Sequence, residues 1–334
     1  MEKKSHMDAF GAAALIAFAL HLAFNQVVIK VTNDGFGPIF AAGLRSAGAV
    51  VVLFVWMRLR GIPLTVPAAA VPAGILSGIL FGIEFMMLFS ALDFTTVSRA
   101  SVIFYSMPVW LAIAGHFLMP DDRMNFAKAL GLVLAVAGVA IALLDRSDAT
   151  ASVLGDILAL GSACCWAAIA LCVKVTPLSK VPPAQQLMFQ VLVSAPILLV
   201  AAWISADLFR DPQPIHYAGL LFQTVAVASL GFLVWFWLMA IYPASSVASF
   251  SFLSPVFAVI LGWLLLDEQV GPRVWIALVL VSAGIFLINR RPRAAEVPQK
   301  VAGTTSVGVG GFFRSVSVVW YGDESAVINL LNGP

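Results

Sequence analysis

Runs of apolar residues, each about as long as a bilayer crossing, recur along this chain with only short polar breaks between them. A bilayer core is roughly 30 Å thick and a helix rises about 1.5 Å per residue, so one crossing takes about 17–25 mostly apolar residues. The pattern predicts ten helices, over residues 9–29, 38–57, 71–91, 97–117, 126–144, 153–173, 184–204, 217–241, 246–266 and 274–289. The breaks hold the turn formers and most of the charge, as in Asn33-Asp34-Gly35 and Arg60-Gly61. So much of the chain is assigned to lipid that little is left for a soluble domain.

Composition agrees. Hydrophobic residues make up 61% of the chain and charged residues 11%, against about 25% charged in an ordinary soluble domain. A net charge of +2, with no basic run away from the membrane flanks, gives no reason to expect nucleic acid as a partner. The apolar run after Lys3 and Lys4 is too long for a secretory signal and has a related segment mid-chain, so it reads as the first membrane helix. The cysteines, Cys164, Cys165 and Cys172, share one predicted helix and read as packing residues without a disulfide framework.

Positive charge orients the chain. Alternate connections collect Lys3, Lys4, Arg58, Arg60, Arg123, Lys128, Lys174, Lys180, Arg290, Arg291, Arg293, Lys300 and Arg314 on one side. Lys30, Arg99, Arg146, Arg210 and Arg273 fall on the other. The richer side is assigned to the cytoplasm, with both termini there, as an even number of spans requires. The expected location is the plasma membrane, a bacterial inner membrane.

The chain also matches itself at an offset of 144 to 147 residues. Gly11, Ala23, Lys30-Val31-Thr32 and Pro38 pair with Gly155, Ala167, Lys174-Val175-Thr176 and Pro182; Pro108-Val109 pairs with Pro255-Val256, Asp121 with Glu268, and Ala137-Gly138 with Ala283-Gly284. Five spans per half is an odd number, so the second half enters the membrane from the opposite side. The fold class expected is an all-α membrane protein, ten transmembrane helices in two inverted five-helix repeats. The divisions are an amino-terminal segment 1–8, repeats at 9–144 and 153–289, an external connection 145–152 and a disordered cytoplasmic tail 290–334. Inverted repeats of this kind occur in many secondary transporters, with the site near the midplane between them. Pro108 and Pro255 fall near the middle of their spans, where a proline removes a backbone hydrogen bond and kinks a helix.

These residues resemble a known family, the EamA-type members of the drug/metabolite transporter superfamily. The second repeat carries the stronger likeness, in Leu253-Ser254-Pro255-Val256-Phe257, Leu265-Leu266-Asp267-Glu268 and Ser282-Ala283-Gly284. The first shows Ala91-Leu92, Ser106-Met107-Pro108-Val109-Trp110 and Arg45 in the second span. It departs in having Asp121-Asp122 where a glutamate is usual and in lacking the common tryptophan of the first span. Over residues 9–292, the resemblance implies a ten-helix exporter of amino acids or other small metabolites with a central cavity and no ATPase of its own.

Among candidate working residues, Glu84 lies well inside the third span. A central ionisable residue costs about 2.5–3.5 kcal/mol on insertion scales, so it normally faces a cavity or a partner. Gly74, Gly78 and Gly82 form a small-residue stripe suited to helix contact, and Glu84 points away from it. Arg45 is the expected charge partner, as a coupled working pair or as a structural one. Asn25, Gln26 and Arg45 have Ile169, Ala170 and Phe189 at the matching positions of the second half, so the polar set belongs to one repeat. Ser98, Ser101, Tyr105 and Pro108 share one face of the fourth span. Ser245, Ser249 and Phe252 share one of the ninth. Trp166, Trp235 and Trp237 supply aromatic surface, for substrate or for packing, and Pro255 completes the candidate set. His21 and His116 are isolated and read as structural.

No G-x-x-x-x-G-K-[ST] loop or H-E-x-x-H motif occurs, so neither an enzyme nor a bound cofactor or metal is expected. The expected function is secondary active export of amino acids or related small metabolites by alternating access, with Glu84 as a proton-coupling group. Burial and a neighbouring cation act on a carboxyl in opposite senses, which suits a switch. The alternatives are an uncoupled facilitator or exchanger and, from another class, a polytopic lipid-modifying enzyme. The expected partners are a small-molecule substrate and the bilayer. The chain is either a monomer or a homodimer, with Gly131, Gly138 and Gly284 available for a seam between copies or for packing within one.

Overall fold

The computed structural model describes residues 8–118, 124–144, 152–242, 250–289, 318–321 and 325–328. Two compact units divide the chain at Arg290. The first is the helical bundle. Within the second, Val318–Tyr321 (β1) pairs antiparallel with Ser325–Ile328 (β2), a hairpin where the sequence reading assigned no element.

Among the described residues, nine helices are long and apolar enough to cross a membrane, and Phe250–Leu265 is a shorter apolar one. In the first repeat α1 is Ala9–Gly35, α2 Pro38–Leu59, α3 Val71–Phe94, α4 Val97–Phe104, α5 Met107–Leu118 and α6 Phe126–Leu144. In the second, α7 is Val153–Val175, α8 Pro183–Ser205, α9 Pro214–Phe222, α10 Phe232–Ile241, α11 Leu253–Leu265 and α12 Pro272–Asn289. Local chemistry sets the starts. Asp8, Thr96 and Ser152 accept backbone N–H bonds as N-caps of α1, α4 and α7. Pro38, Pro183 and Pro214 open α2, α8 and α9, where a missing N–H removes no helical bond.

Small residues set the helix pairs. Side chains added at Gly74 or Gly78 would run into Phe189 or Val193, and one at Gly82 would touch Ser194, so the glycine stripe of α3 lies against α8. A Cβ at Gly131 would meet the Gly284 carbonyl, and one at Gly138 the Ala277 carbonyl. The α6–α12 backbones therefore touch within one chain, and these glycines are spent on packing inside the monomer. Val51, Val133, Val200 and Val279 are each more than half exposed, the outward surface that lipid covers.

The gaps between helices define two ends. The end bearing Gly35–Gly37, Thr95–Thr96, Ala206–Gln213 and Leu266–Gly271 is called distal. There Gly37 N–H donates to the Leu208 carbonyl at 3.1 Å. Arg210 bonds Asp93 at 2.8 Å and Asp207 at 2.5 Å; these two carboxylates raise the Arg210 pKa above its ordinary value. At the proximal end the Tyr242 hydroxyl donates to Asp8 at 2.7 Å and Gln185 donates to the Pro63 carbonyl at 2.6 Å.

Three features depart from uniform helices. The fourth span breaks at Tyr105–Ser106, where Ser106 Oγ donates to the Ile103 carbonyl and Pro108 is the second residue of α5. In the eighth span, residues Gln223–Gly231 form a π-helix between α9 and α10. Pro255 sits in the first turn of α11 after a 3₁₀ turn at Phe250–Phe252, so it kinks nothing within the described residues. Ser245 and Ser249 lie outside them. Lys30 and Arg99, assigned to connections from sequence, lie instead inside α1 and α4.

Candidate functional site

The bundle interior holds two arginines with opposite circumstances. Arg99, 1% exposed on α4, presents its lateral edge to Asp156, fully buried on α7: Nε–Oδ1 is 3.3 Å and Nη2–Oδ2 is 2.7 Å. Nη2 also donates to the Ala142 carbonyl of α6 at 2.6 Å. Here the guanidinium fork matches a carboxylate geometrically. Sequence reasoning missed this pair because Arg99 lies close enough to a span boundary to read as a connection charge. The clue was Asp156, the one acid inside the sixth span.

Arg45, on α2, is equally buried at 1% exposure. Its Cζ lies 3.7 Å from the Phe85 ring centroid and 5.2 Å from that of Phe89, a cation–π stack on α3. Its Nε and Nη2, the same lateral edge, donate to nothing among the described residues. Glu84, one residue before Phe85 and 3% exposed, interacts with Arg45 electrostatically without forming an ion pair. The direct pair expected from sequence is absent. Ser162 Oγ on α7 donates to the Glu84 backbone carbonyl at 3.0 Å, so α3 meets the second repeat here.

More buried polar groups belong to the same interior. Among the described residues, Asn25 Oδ1 and Gln26 Oε1 on α1, Ser46 Oγ beside Arg45 and Ser101 Oγ on α4 have no hydrogen-bond partner. Tyr105, at the break, faces Gln26 and Ser254. Unpaired polar atoms in a protein interior cost about 1–3 kcal/mol each. Their grouping on α1, α2 and α4, with Ile169, Ala170 and Phe189 at the repeat-related positions, is the asymmetry seen in the sequence. Trp166 closes one side, stacked on Phe104 at 5.0 Å and edge-on to Tyr105 at 6.4 Å.

Not every candidate joins this group. Trp235 stacks on Phe18 at 5.2 Å in a satellite cluster with Leu15 and Leu238. Trp237 meets Phe10 near the proximal end. Phe252 packs edge-on against Phe286 of α12 at 6.0 Å. Pro108 and Pro255 sit at the helix starts described above. His21 Nε2 lies 3.1 Å from the Ala226 carbonyl in the π-helix, a structural contact. At the distal end a cleft of about 550 Å³ is lined by Lys30, Asp34, Asp93, Thr95, Thr96, Asp267 and Glu268 among others. Among the described residues no group of three or more His, Cys, Asp or Glu side chains is arranged to hold a metal ion.

The sequence profile of the EamA-like transporter family matches residues 9–144 and 153–290, the two repeats. The chain is 29% identical over 293 residues to the uncharacterized transporter YvbV of Bacillus subtilis, covering 85% of this chain and 93% of that protein. It is 25% identical to the uncharacterized transporter YoaV of the same organism, covering 82% and 94%. A WAT1-related chloroplastic protein of Arabidopsis thaliana is 26% identical, over 79% of this chain and 66% of its own length. One crystal structure, 20% identical, superposes with a TM-score of 0.60 over 83% of this chain and 97% of its own, and so shares the fold. With both repeats matched and the buried polar interior lying between them, this chain is a multi-pass membrane transporter, not an enzyme, and belongs to the EamA-like transporter family.

Proposed function

We propose that the protein is a secondary transporter that exports amino acids or related small carboxylate-bearing metabolites across the plasma membrane by alternating access. One observation carries the reading. Of two buried arginines, Arg99 has its lateral fork filled by Asp156, and Arg45 has the same fork empty among the described residues. A substrate carboxylate completes Arg45 as Asp156 completes Arg99. Glu84, nearby but not in contact, receives the ammonium of the same zwitterion or a coupling proton. Asn25, Gln26, Ser101 and Tyr105 supply hydrogen bonds, and Phe85 and Trp166 supply apolar walls.

Orientation follows the positive-charge bias, with both termini cytoplasmic and the distal end outside. Cysteines introduced at Asp148 and Ala295, in a background without native cysteines, label from opposite membrane faces if this holds. The test of function is uptake of a panel of labelled amino acids into sealed proteoliposomes. Accumulation of unaltered substrate supports the reading; chemical conversion of the substrate, or no movement of any carboxylate-bearing member, defeats it.

A further inference from the structure

The distal end of α4 is held by a residue from the other repeat. Glu268 lies just beyond α11, and its carboxylate accepts from the Val97 N–H at 2.6 Å, the Ser98 N–H at 2.9 Å and the Ser98 hydroxyl at 2.6 Å. A carboxylate on the first N–H groups of a helix is favoured both by their missing partners and by the helix dipole. Two local features bring it there. Asp267 takes a left-handed conformation with φ 51°, which turns the chain back over the end of α11, and the Glu268 N–H closes the turn on the Gly262 carbonyl. Gly262 leaves the space: a Cβ there would lie 2.6 Å from Glu268 Oε2 and 3.0 Å from Ser98 Oγ.

The contact sits between two things a transport cycle must connect. On one side is the distal cleft, which Glu268 itself lines with Thr95 and Thr96. On the other is the buried polar interior, reached along α4 through Ser101 and Tyr105. Both Glu268 and the Arg99–Asp156 pair tie α4, in repeat one, to repeat two. They differ in kind. Arg99 and Asp156 are sealed from solvent at 1% and 0% exposure, whereas Glu268 borders the open cleft. The first suits a fixed joint and the second a contact that is made and broken. The residue types also recur: at the repeat offset of 147, Ser98 and Glu268 correspond to Ser245 and Asp121, the serine and the acid having changed repeats.

We propose that Glu268 is the distal latch of the transport cycle, a positioning residue whose carboxylate closes the interior on that side by capping α4 and must leave Val97 and Ser98 for substrate to pass. The proposal rests on the alternating-access reading above with the distal end outside. In this structure the latch is shut.

Two experiments test it. In a background without native cysteines, Ser98→Cys and Glu268→Cys are joined by a short, reducible bis-methanethiosulfonate linker in proteoliposomes. The latch predicts transport falling at least tenfold on cross-linking and returning on reduction, within the same folded protein. Cross-linked protein that transports at the uncross-linked rate overturns the latch and leaves the transporter reading intact. Protein that moves nothing before cross-linking speaks against that reading instead, and the second experiment then decides the latch without any transport. A cysteine replacing Ser101, one turn inward from Ser98, is exposed to a membrane-impermeant thiol reagent from the face on which a cysteine at position 148 reacts. Glu268→Gln, which cannot accept all three bonds, should raise its labelling rate at least fivefold while the protein stays monodisperse. An unchanged rate, or a rise accompanied by aggregation, overturns the proposal.

Discussion

Asp156→Asn probes the deepest electrostatic contact of the bundle. The substitution keeps the shape of the side chain and removes its charge. Arg99 is left 1% exposed with its bond to the Ala142 carbonyl and a neutral amide where the carboxylate had been. The contacts at 3.3 Å and 2.7 Å lose the carboxylate's charge, and either amide orientation turns an N–H toward the guanidinium, so one of the two bonds is lost outright. Removing one partner of a buried ion pair costs about 3–5 kcal/mol, because the remaining charge stays buried. At about 1.4 kcal/mol per factor of ten, the folded-to-unfolded ratio should fall by roughly two to three and a half orders of magnitude. Detergent-purified protein would be followed by reversible denaturation, with the monodisperse fraction against temperature as a second reading. Arg99→Met with Asp156→Leu removes both charges at similar volume and should be more stable than Asp156→Asn alone. A cost for Asp156→Asn below about 1 kcal/mol, the range of an exposed pair, would refute the argument, as would a double variant no better than the single one.

Other expectations follow from single contacts. Gly284→Ala places a methyl group against the Gly131 carbonyl and Ala135, so α6 and α12 must separate, with a loss of about 1–3 kcal/mol read as a lower denaturation midpoint. Glu84→Gln removes the titrating charge without breaking an ion pair; it should fold normally, still exchange substrate and lose transport driven by a pH gradient. Pro108→Ala restores an N–H near the Tyr105–Ser106 break and should lower transport more than it lowers the yield of folded protein, both measured on one preparation.

The helices were legible because lipid leaves a chain little choice: apolar runs of spanning length become helices whose backbone bonds are met internally. The ends drawn from hydropathy agree with the structure to a few residues, apart from α1, which runs on through Lys30, Thr32 and Asn33 to Gly35, and the predicted start of the ninth span at residue 246, which lies outside the described residues. Those polar side chains find partners at the distal end, Lys30 on the Thr95 carbonyl and Asn33 on the Phe89 carbonyl, and hydropathy does not register such bonds. The π-helix at Gln223–Gly231 was illegible for a similar reason. Its sequence sets Gln223, Thr224 and Ser229 among small apolar residues with no proline or other marker of a wider turn, and specific bonding such as Ser229 Oγ to the Thr224 carbonyl at 2.8 Å is not visible to hydropathy. The buried polar interior was partly legible. Depth and the asymmetry of the repeats singled out Asn25, Gln26, Arg45 and Glu84, but spacing along separate helices does not say which side chains meet. Arg45 stacks on Phe85 where a contact with Glu84 was expected, and the buried pair Arg99–Asp156 joins residues drawn from a connection and an unremarked helix start.

The central claim is that Arg45 offers an unfilled carboxylate site, and it is tested most directly by comparing a labelled amino acid with its own carboxamide in proteoliposome counterflow. Hydrogen bonds to a charged group are worth about 1.5–3 kcal/mol, so losing the carboxylate should slow exchange by about 10–100-fold. Arg45→Lys, which keeps the charge but not the fork, should erase most of that preference. Equal exchange of acid and amide by the wild-type protein, or a preference that survives Arg45→Lys undiminished, would contradict the account.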